Sequence, residues 1–481
     1  MAVLTAEQAL AKVDALYKVL TGRRSDIKEN LDYYAGRHPL AYATIEWSQA
    51  HGQRFANFSD NWCRVVGDAP AERTGVDGFR VGDDSDPISD DERLLDSDWQ
   101  RNEMEAQSSQ GFLLSTVAKR SSVLVWADED GLPLDTWERP DQVVVDYDPG
   151  NPRRKRAALK AWLEDDFERA TLYTADAVWK FRRPRASTSG LILPAGYEVG
   201  GWVPFQADGD DTWPIANPLG EVPVVEFANA PMLGGEPISD IDGAKAMQNA
   251  VNLLWSYLFT AADYASMPAR VVMGQAPPKM PILDENGQKV GEKPVDIEAL
   301  TKGRMLWLTG QSTSIGQWDA AKLDVFTEVI KVAVMHVSAQ TRTPIADLLG
   351  ELGNVNGETL QALAQPLAMK VRRSHAFYTP RIRDVHRLNA AVRGMTSLAE
   401  ACRSGIVQWR NPEVFGESQV ADAASKDKAI GFPLQWIAEK RYGYSQKEVQ
   451  RLLDMARAEA TDPYLALLGE KSGAPVAAGV G

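Results

Sequence analysis

The sequence predicts an α+β protein whose strand-rich parts lie between long helices. Apolar residues recur at helical spacing in the first 34 residues and again through much of residues 240–460. Short β-branched and aromatic runs fill residues 121–181, and two more lie between two long helical segments. Helical and strand-like stretches separated along the chain in this way are typical of α+β folds. A chain of 481 residues is too long for one core and suggests roughly three or four structural units.

The N-terminal segment has a helical pattern that is interrupted once. Apolar residues between Ala6 and Tyr34 fall at approximately helical intervals, and Gly22 stands in the middle. Because glycine inside a helix lowers its stability, we expect two helices.

Residues 121–181 predict an antiparallel sheet. The runs SSVLVW, QVVVDY, AALKAWLE and DAVWKF have strand composition, and turn signals separate them. Asp130 and Gly131 form one such signal, since glycine accepts the positive φ of a tight hairpin. The basic run PRRKR, residues 152–156, lies between two predicted strands. We interpret it as an exposed turn whose charges protect a sheet edge. Contact with nucleic acid is the alternative, and the acidic chain around the run argues against it.

Two long helices enclose a second strand-rich stretch. The first is predicted over residues 239–265, capped by Ser239 or Asp240, and it is apolar on more than one face. Such a helix is packed on most sides, either inside a bundle or between subunits. The runs ARVVM and RMLWL within residues 266–319 predict strands, and Pro344 closes the second helix. The residues expected to pack are Met247, Val251 and Trp255 on the first helix and Phe326 and Ile330 on the second.

A glycine-punctuated loop follows the second helix. Gly350, Gly353 and Gly357 interrupt residues 345–357, which are too apolar for a solvated linker. We therefore expect a mobile loop that contacts something. Asn356 is suited to cap the next helix, which is predicted over residues 358–392 with a kink at Pro366.

The C-terminal part predicts two or three more helices between residues 396 and 460. Ser445 and Glu448 form a capping-box pattern at the start of the last one. The final residues, GEKSGAPVAAGVG, are small and glycine-rich, so we predict a disordered tail.

This order of elements, together with the segment NVNGETL at residues 354–360, resembles the portal proteins of tailed double-stranded DNA bacteriophages, in particular the siphophage type. That family usually has serine where this chain has Asn356, and both are strong helix caps. The resemblance implies a portal fold with wing, helical stem, strand-containing clip, channel loop and helical crown. The implied parts are a helical part of the wing (1–60), a wing lobe with antiparallel strands (61–238), a first stem helix (239–265), a clip (266–319), a second stem helix (320–344), a channel or tunnel loop (345–357), a long kinked wing helix (358–392), a crown (393–465) and a disordered tail (466–481).

The same resemblance implies a ring-shaped homo-oligomer, dodecameric in the virion, that forms a channel at one capsid vertex. Double-stranded DNA would pass through it during packaging, be retained, and leave through the tail. The implied partners are the terminase large subunit, then a head-tail connector or adaptor, and the major capsid and scaffold proteins. The implied location is the virion, with assembly in the host cytoplasm. By resemblance, the loop residues Leu349, Glu351, Asn354 and Asn356 lie near the DNA.

Composition argues against several other classes. A net charge of −14 disfavours broad phosphate-binding surfaces, and Cys63 and Cys402 fit free thiols in a reducing compartment. Aspartates in residues 83–91 lack the spacing of a calcium loop and are interpreted as a solvated loop. The five histidines form no HExxH motif, and neither a GxSxG elbow nor a phosphate loop is present.

We therefore expect no catalytic residue, metal or cofactor. No apolar run is long enough to span a bilayer, so we expect a soluble protein without a membrane partner. Two alternatives stay open, another head-tail connector ring protein and a large soluble hydrolase with a hidden carboxylate pair.

Overall fold

The structure is a computed structural model of the chain. It describes residues 4–38, 40, 44–45, 48–49, 58–82, 88–185, 201–206, 212–233, 235–266, 270–273, 279–283, 288–294, 305–308, 314–317, 322–350, 357–413, 417–444 and 446–461. The chain divides into two compact units. The first unit comprises residues 1–35, 63–243 and 341–481, and the second comprises residues 36–62 and 244–340.

Helices and strands alternate in blocks along the chain. In its described part the helices are α1 (Ala6–Tyr34), α2 (Trp62–Ala71), α3 (Asp90–Arg101), α4 (Met104–Ala118), α5 (Asp242–Ser266), α6 (Asp324–Thr341), α7 (Ile345–Leu349), α8 (Gly357–Val392), α9 (Thr396–Cys402), α10 (Glu417–Ile430), α11 (Leu434–Lys440) and α12 (Gln446–Thr461). The strands are β1 (Val76–Arg80), β2 (Arg120–Ala127), β3 (Pro133–Glu138), β4 (Val143–Asp148), β5 (Asn151–Glu164), β6 (Phe167–Thr174), β7 (Ala177–Pro184), β8 (Val203–Pro204), β9 (Ile215–Ala216), β10 (Val224–Ala228), β11 (Arg270–Met273), β12 (Lys279–Leu283), β13 (Lys289–Pro294), β14 (Met305–Leu308), β15 (Ser314–Gln317) and β16 (Ile406–Trp409). The mixed helix and sheet content confirms the predicted α+β class.

Helix α1 is continuous, so the predicted break near Gly22 is wrong. Thr5 caps the helix in a capping box with Gln8, and buried apolar residues lie on both sides of the glycine, with Leu20 before it and Ile27 after it. Tertiary packing therefore outweighs the weak helix propensity of one glycine.

The first unit consists of stacked layers of helices and sheets. Successive side chains along each strand point to opposite faces of its sheet, and so contact different layers. Helix α1 packs on one face of the six-stranded sheet (β4-β5-β6-β7-β8, with β9 beside β7), where Val144 and Leu159 lie. Val143 and Ala158 point to the opposite face, against the three-stranded sheet β10-β2-β3. The predicted antiparallel strands and the Asp130-Gly131 hairpin between β2 and β3 are confirmed, with Gly131 at φ +74°.

The far side of the three-stranded sheet packs against α4 and α8. Phe112, Phe227 and Tyr378 meet there in a cluster of aromatic rings. Trp137 lies directly over Gly111, where an added Cβ would stand 1.8 Å from the indole. Only glycine fits at this position in α4.

Polar pairs with buried carboxylates fasten α8 and Arg393, the residue that follows it, to the layers below. The Arg393 guanidinium donates to both carboxylate oxygens of Asp98, at 2.8 and 2.5 Å, and Asp98 is 1% exposed. Asn389 donates from Nδ2 to Asp135 Oδ2 at 2.7 Å. His386 lies in a stack between Phe79 and Trp99, with ring centroids 4.2 and 5.4 Å away.

Three local expectations need correction. The basic run PRRKR is part of β5 rather than a turn: Lys155 is mostly buried and donates to Val224 O at 3.0 Å, and Arg156 binds Asp146. Asp90 and Asp91 belong to the first turn of α3, capped by Ser89, rather than to a loop. Strand β16 was not expected, and it pairs antiparallel with β1 more than 320 residues earlier.

The second unit contains the strands predicted between the two long helices. ARVVM contains β11 and RMLWL contains β14, and these two strands pair in parallel. β15 pairs with the other edge of β11, and β12 and β13 form a separate antiparallel pair.

Candidate functional site

Helix α5 of the second unit has a buried polar face beside its apolar one. Gln248, Asn252 and Ser256 recur at four-residue spacing and are each at most 1% exposed. Asn252 Oδ1 accepts the backbone N–H of Asp60 at 2.9 Å, and its Nδ2 lies 3.0 Å from His38 Nε2. Gln248 accepts the backbone N–H of Trp62 at 2.6 Å. This face fixes residues 58–62 along the helix, because each buried amide needs a partner.

Trp255 extends the same attachment. Its indole Nε1 donates to Asp60 Oδ2 at 2.8 Å, and its ring stacks on Phe259 at a centroid distance of 5.6 Å. Burial raises the pKa of Asp60, and the indole hydrogen bond opposes that shift. Trp255, which was predicted to pack, therefore makes both an aromatic contact with Phe259 and a hydrogen bond to Asp60.

Helix α6 of the second unit has two apolar faces, and one is uncovered. Ile330, Ala333, Val334 and Val337 are buried on one face. Val325, Val329, Val332 and Met335, which together we call the α6 stripe, lie on another face with exposed fractions of 59%, 46%, 47% and 49%. Fully burying such a side chain contributes about 1.5–3 kcal/mol, so covering the exposed half of each adds about 1 kcal/mol. The whole stripe offers about 4 kcal/mol to a protein surface that covers it.

The segment that follows α6 is part of the first unit and contacts other elements of that unit. Lys370 on α8 donates to Thr341 O at 3.1 Å and pairs with Asp240 at 2.8 Å. Asp347 on α7 lies 3.7 Å from Arg73. Gly350 ends α7 with φ +63°, a conformation that glycine adopts without strain. Residues 341–350 therefore hold one end of the glycine-rich loop in a defined position.

The predicted site residues have different placements. Leu349 is half-buried at the end of α7, whereas Glu351, Asn354 and Asn356 lie outside the described residues. Met247, Val251 and Trp255 share a side of α5, on which Val251 is fully buried. Phe326 and Ile330 share a side of α6, and Ile330 is 5% exposed. The predicted caps Asn356 and Ser445 also lie outside the described residues.

Sequence reasoning missed the polar face of α5 and the α6 stripe. Both leave a signal in the sequence: polar residues recur every four positions in the first case, and valines at 325, 329 and 332 follow helical spacing in the second. The prediction considered one apolar face on α6 and overlooked the other.

Comparison with known proteins decides the family. The family described as phage portal protein, SPP1 Gp6-like, matches residues 15–462. The chain belongs to this family. The match confirms the predicted portal resemblance and favours it over the connector and hydrolase alternatives.

Individual relatives agree with the portal family. The portal protein of Mycobacterium phage D29 is 26% identical over 473 residues, which cover 93% of this chain and 88% of the relative. The portal protein of Mycobacterium phage L5 is 25% identical over 453 residues, covering 89% and 84%. A chain from the virion of a native gene transfer agent particle aligns over 86% of this chain and 92% of its own length. Its identity is 12% and its TM-score is 0.37, which is too low to support an argument.

Portal proteins are structural components of the virion. Within the described ranges, no cluster of three or more His, Cys, Asp or Glu side chains is arranged to hold a metal ion. Cys63 and Cys402 are both buried free thiols. None of the helices that the structure describes is long and apolar enough to cross a membrane.

Proposed function

We propose that this chain forms a closed ring in which the α6 stripe of each subunit packs against a neighbouring subunit. The observation that carries the proposal is the second apolar face of α6, since a helix with two apolar faces needs two surfaces to cover them. A heterologous contact of this kind closes into a ring when its rotation is a whole fraction of a turn. The ring is dodecameric in the virion and occupies one capsid vertex.

Within this proposal, α5 and α6 are the stem helices and strands β11–β15 between them form the clip. The first unit supplies the wing, and α9–α12 supply the crown. The clip is the docking surface for the terminase large subunit during packaging and for the head-tail connector afterwards. The major capsid and scaffold proteins surround the ring as it assembles in the host cytoplasm.

The channel acts as a conduit for double-stranded DNA and performs no catalysis. The net charge of −14 supports weak contact with phosphate, and weak contact suits a moving polymer. Residues 345–357, including Leu349, Glu351, Asn354 and Asn356, form the channel loop that touches DNA. The ion pair of Asp347 with Arg73 holds the first part of this loop to the wing. Arg153, Arg154 and Arg156 are dispensable for DNA transit, and Arg156 is occupied by Asp146.

The ring proposal is tested with a variant of the α6 stripe. A phage that lacks this gene is supplied with the Val329→Asp, Val332→Asp double variant, and packaged genomes are counted. The control is Thr327→Asp, which places a carboxylate at an exposed position of the same helix outside the stripe. We expect the control to package DNA normally and the double variant to yield capsids without portal rings. Normal packaging by the double variant would contradict the proposed interface.

The loop is tested by deletion of residues 349–355. We expect rings to assemble, because the α6 stripe is intact, and DNA to be packaged poorly or to leak from filled capsids. Unchanged packaging and retention would remove the loop from the mechanism while leaving the ring in place.

A further inference from the structure

A pocket of about 240 Å³ lies in the first unit beside β1 and α3, and we call it the α3 pocket. Residues of β1 and α3 form most of its lining, to which α4, α8 and β16 add Glu105, His386 and Gln408. Its volume corresponds to about eight water molecules. An organic molecule somewhat smaller than a typical drug would also fill it.

The α3 pocket contains a buried polar side chain whose hydrogen bonds are not satisfied. His386 lines the pocket and is 2% exposed, and neither of its ring nitrogens has a hydrogen-bond partner among the described residues. Phe79 and Trp99, which stack on the two sides of this ring, line the pocket as well. Since buried polar groups in native proteins almost always have a partner, His386 indicates that the pocket binds a polar occupant.

The charge state of His386 decides which polar group it can bind. Burial lowers the pKa of His386 to about 3, so the ring is neutral in a neutral solution. A neutral imidazole has one N–H group and one bare nitrogen, which accepts a hydrogen bond. The ring therefore does not repel a cation, and its bare nitrogen can accept an N–H from one.

Carboxylates outnumber cations around the α3 pocket. The lining contains four carboxylates and two guanidinium groups, which belong to Asp77, Glu92, Asp96 and Glu105 and to Arg80 and Arg93. Both guanidinium groups already have carboxylate partners, because Arg80 donates to Glu92 at 2.7 Å and Arg93 donates to Asp90 at 3.1 Å. A cleft lined by one sign of charge attracts the opposite sign. The lining thus favours a cation over an anion.

Two of the carboxylates are suited to bind this cation. Glu105 is exposed in the first turn of α4. Asp96 on α3 accepts from Gln100 Nε2 at 3.2 Å. Because a carboxylate has about four acceptor positions, Asp96 can bind a ligand in addition to Gln100.

The aromatic residues of the pocket favour a flat cation over a round one. The Phe79 and Trp99 rings lie 18° and 28° from parallel with the His386 ring. Guanidinium and amidinium groups are planar, stack on aromatic faces and bind carboxylates through two parallel N–H groups. An ammonium group has neither property.

We propose that the α3 pocket binds a planar organic cation, a guanidinium or amidinium group that donates hydrogen bonds to His386, Asp96 and Glu105 and lies beside Phe79 and Trp99. The proposal is independent of ring formation, because every residue of the pocket belongs to the first unit of one subunit.

Isothermal titration calorimetry of the full-length chain tests the preference for charge. The probe is benzamidine, a planar amidinium, and the control is benzamide, a neutral molecule of nearly the same shape. We expect benzamidine to bind with a Kd of about 1 mM or tighter and benzamide to bind at least tenfold more weakly. Equal affinity would overturn the proposal, because the pocket would not recognise charge. Absence of benzamidine binding would also overturn it and would leave water as the occupant.

Three variants test whether the probe binds in the α3 pocket. Asp96→Asn removes one charge at nearly constant size, and His386→Phe keeps an aromatic ring in the stack but removes both nitrogens. The control is Asp91→Asn, at an exposed position of α3 outside the pocket. We expect the first two variants to weaken benzamidine binding at least tenfold and the control to change it less than twofold. Unchanged affinity in Asp96→Asn, with its thermal midpoint preserved, would overturn the proposal even if His386→Phe failed to fold.

Two further probes identify the source of the cation. Agmatine is a free guanidinium compound, and a capped Gly-Arg-Gly peptide presents the same group as a side chain of a polypeptide. We expect both to compete with benzamidine, and the tighter competitor shows whether the pocket is suited to a small molecule or to an arginine of another protein. Failure of both to compete would overturn the proposal for guanidinium compounds.

Discussion

Replacing Asp135 with asparagine should stabilise this protein at alkaline pH. Asp135 on β3 is 1% exposed, and Asn389 donates a hydrogen bond to one of its carboxylate oxygens. The other oxygen of Asp135 and the side-chain oxygen of Asn389 are both buried without a partner. A proton on Asp135, or the amide hydrogens of an asparagine at that position, would supply the donor that this pair lacks.

The size of the effect follows from the pKa of Asp135. Burial raises that pKa from 3.8 to about 7; the hydrogen bond from Asn389 opposes the shift, and the nearby Asp98 carboxylate adds to it. The unfolded chain loses this proton above about pH 4 while the folded chain keeps it until about pH 7. Stability therefore falls by about 1.4 kcal/mol per pH unit across that window, about 4 kcal/mol in total, and is constant above it. Asparagine removes this loss.

The measurement is the urea concentration at the midpoint of unfolding, followed by tryptophan fluorescence because Trp137 lies two residues away on β3. We expect the stabilisation by Asp135→Asn to be about 3 kcal/mol greater at pH 8 than at pH 5. The control is Asp130→Asn, which removes a carboxylate at an exposed position in the adjacent turn. Equal stabilisation at both pH values would refute the argument, because it would show that Asp135 is ionised at pH 5.

Four further substitutions test other features of the first unit. Burial lowers the pKa of His386 to about 3. Below pH 6.5 the imidazole is protonated in the unfolded chain but stays neutral in the folded one, so the folded protein loses stability as the pH falls. We therefore expect His386→Phe to stabilise the protein by about 2 kcal/mol more at pH 5 than at pH 7.5, as measured by urea unfolding. Gly22→Ala in α1 should raise the free energy of unfolding by about 1 kcal/mol, because alanine has the higher helix propensity and nothing lies within 4 Å of the added methyl group. Gly111→Ala should lower it by about 3 kcal/mol or more, because the Trp137 indole occupies the space that the methyl group needs. Thermal unfolding of the two variants should show midpoint shifts of opposite sign. Arg393→Ala should cost about 3 kcal/mol in unfolding free energy because it leaves the Asp98 carboxylate buried without its main partner, and a loss below about 1 kcal/mol would contradict the importance of that pair.

The sequence was most informative where structure depends on neighbouring residues. β-branched runs and the Asp130-Gly131 turn identified most strands of the large sheets, since turn geometry is encoded locally. The pairing of β1 with β16 has no local signal, because it joins strands more than 320 residues apart. The break expected at Gly22 failed for a related reason: burial of Leu20 and Ile27 against other elements decides the continuity of α1.

The candidate site was predicted in part. Order and spacing of the helices, strands and glycine-rich loop were sufficient to indicate the portal family, which the family match confirms. The polar face of α5 was hidden because its amides act by binding residues 58–62, a contact that periodicity cannot reveal. The α6 stripe was overlooked because the prediction considered one of the two sets of apolar residues that follow helical spacing along α6.

Electron microscopy of the purified chain, paired with its mass in solution, tests the central claim most directly. The account predicts closed rings with a central hole and a mass that is a whole multiple of 52.8 kDa. It also predicts that the Val329→Asp, Val332→Asp variant remains folded as a monomer under the same conditions. A full-length chain that stays monomeric at high concentration, even when capsid and scaffold proteins are supplied, would contradict the proposed ring.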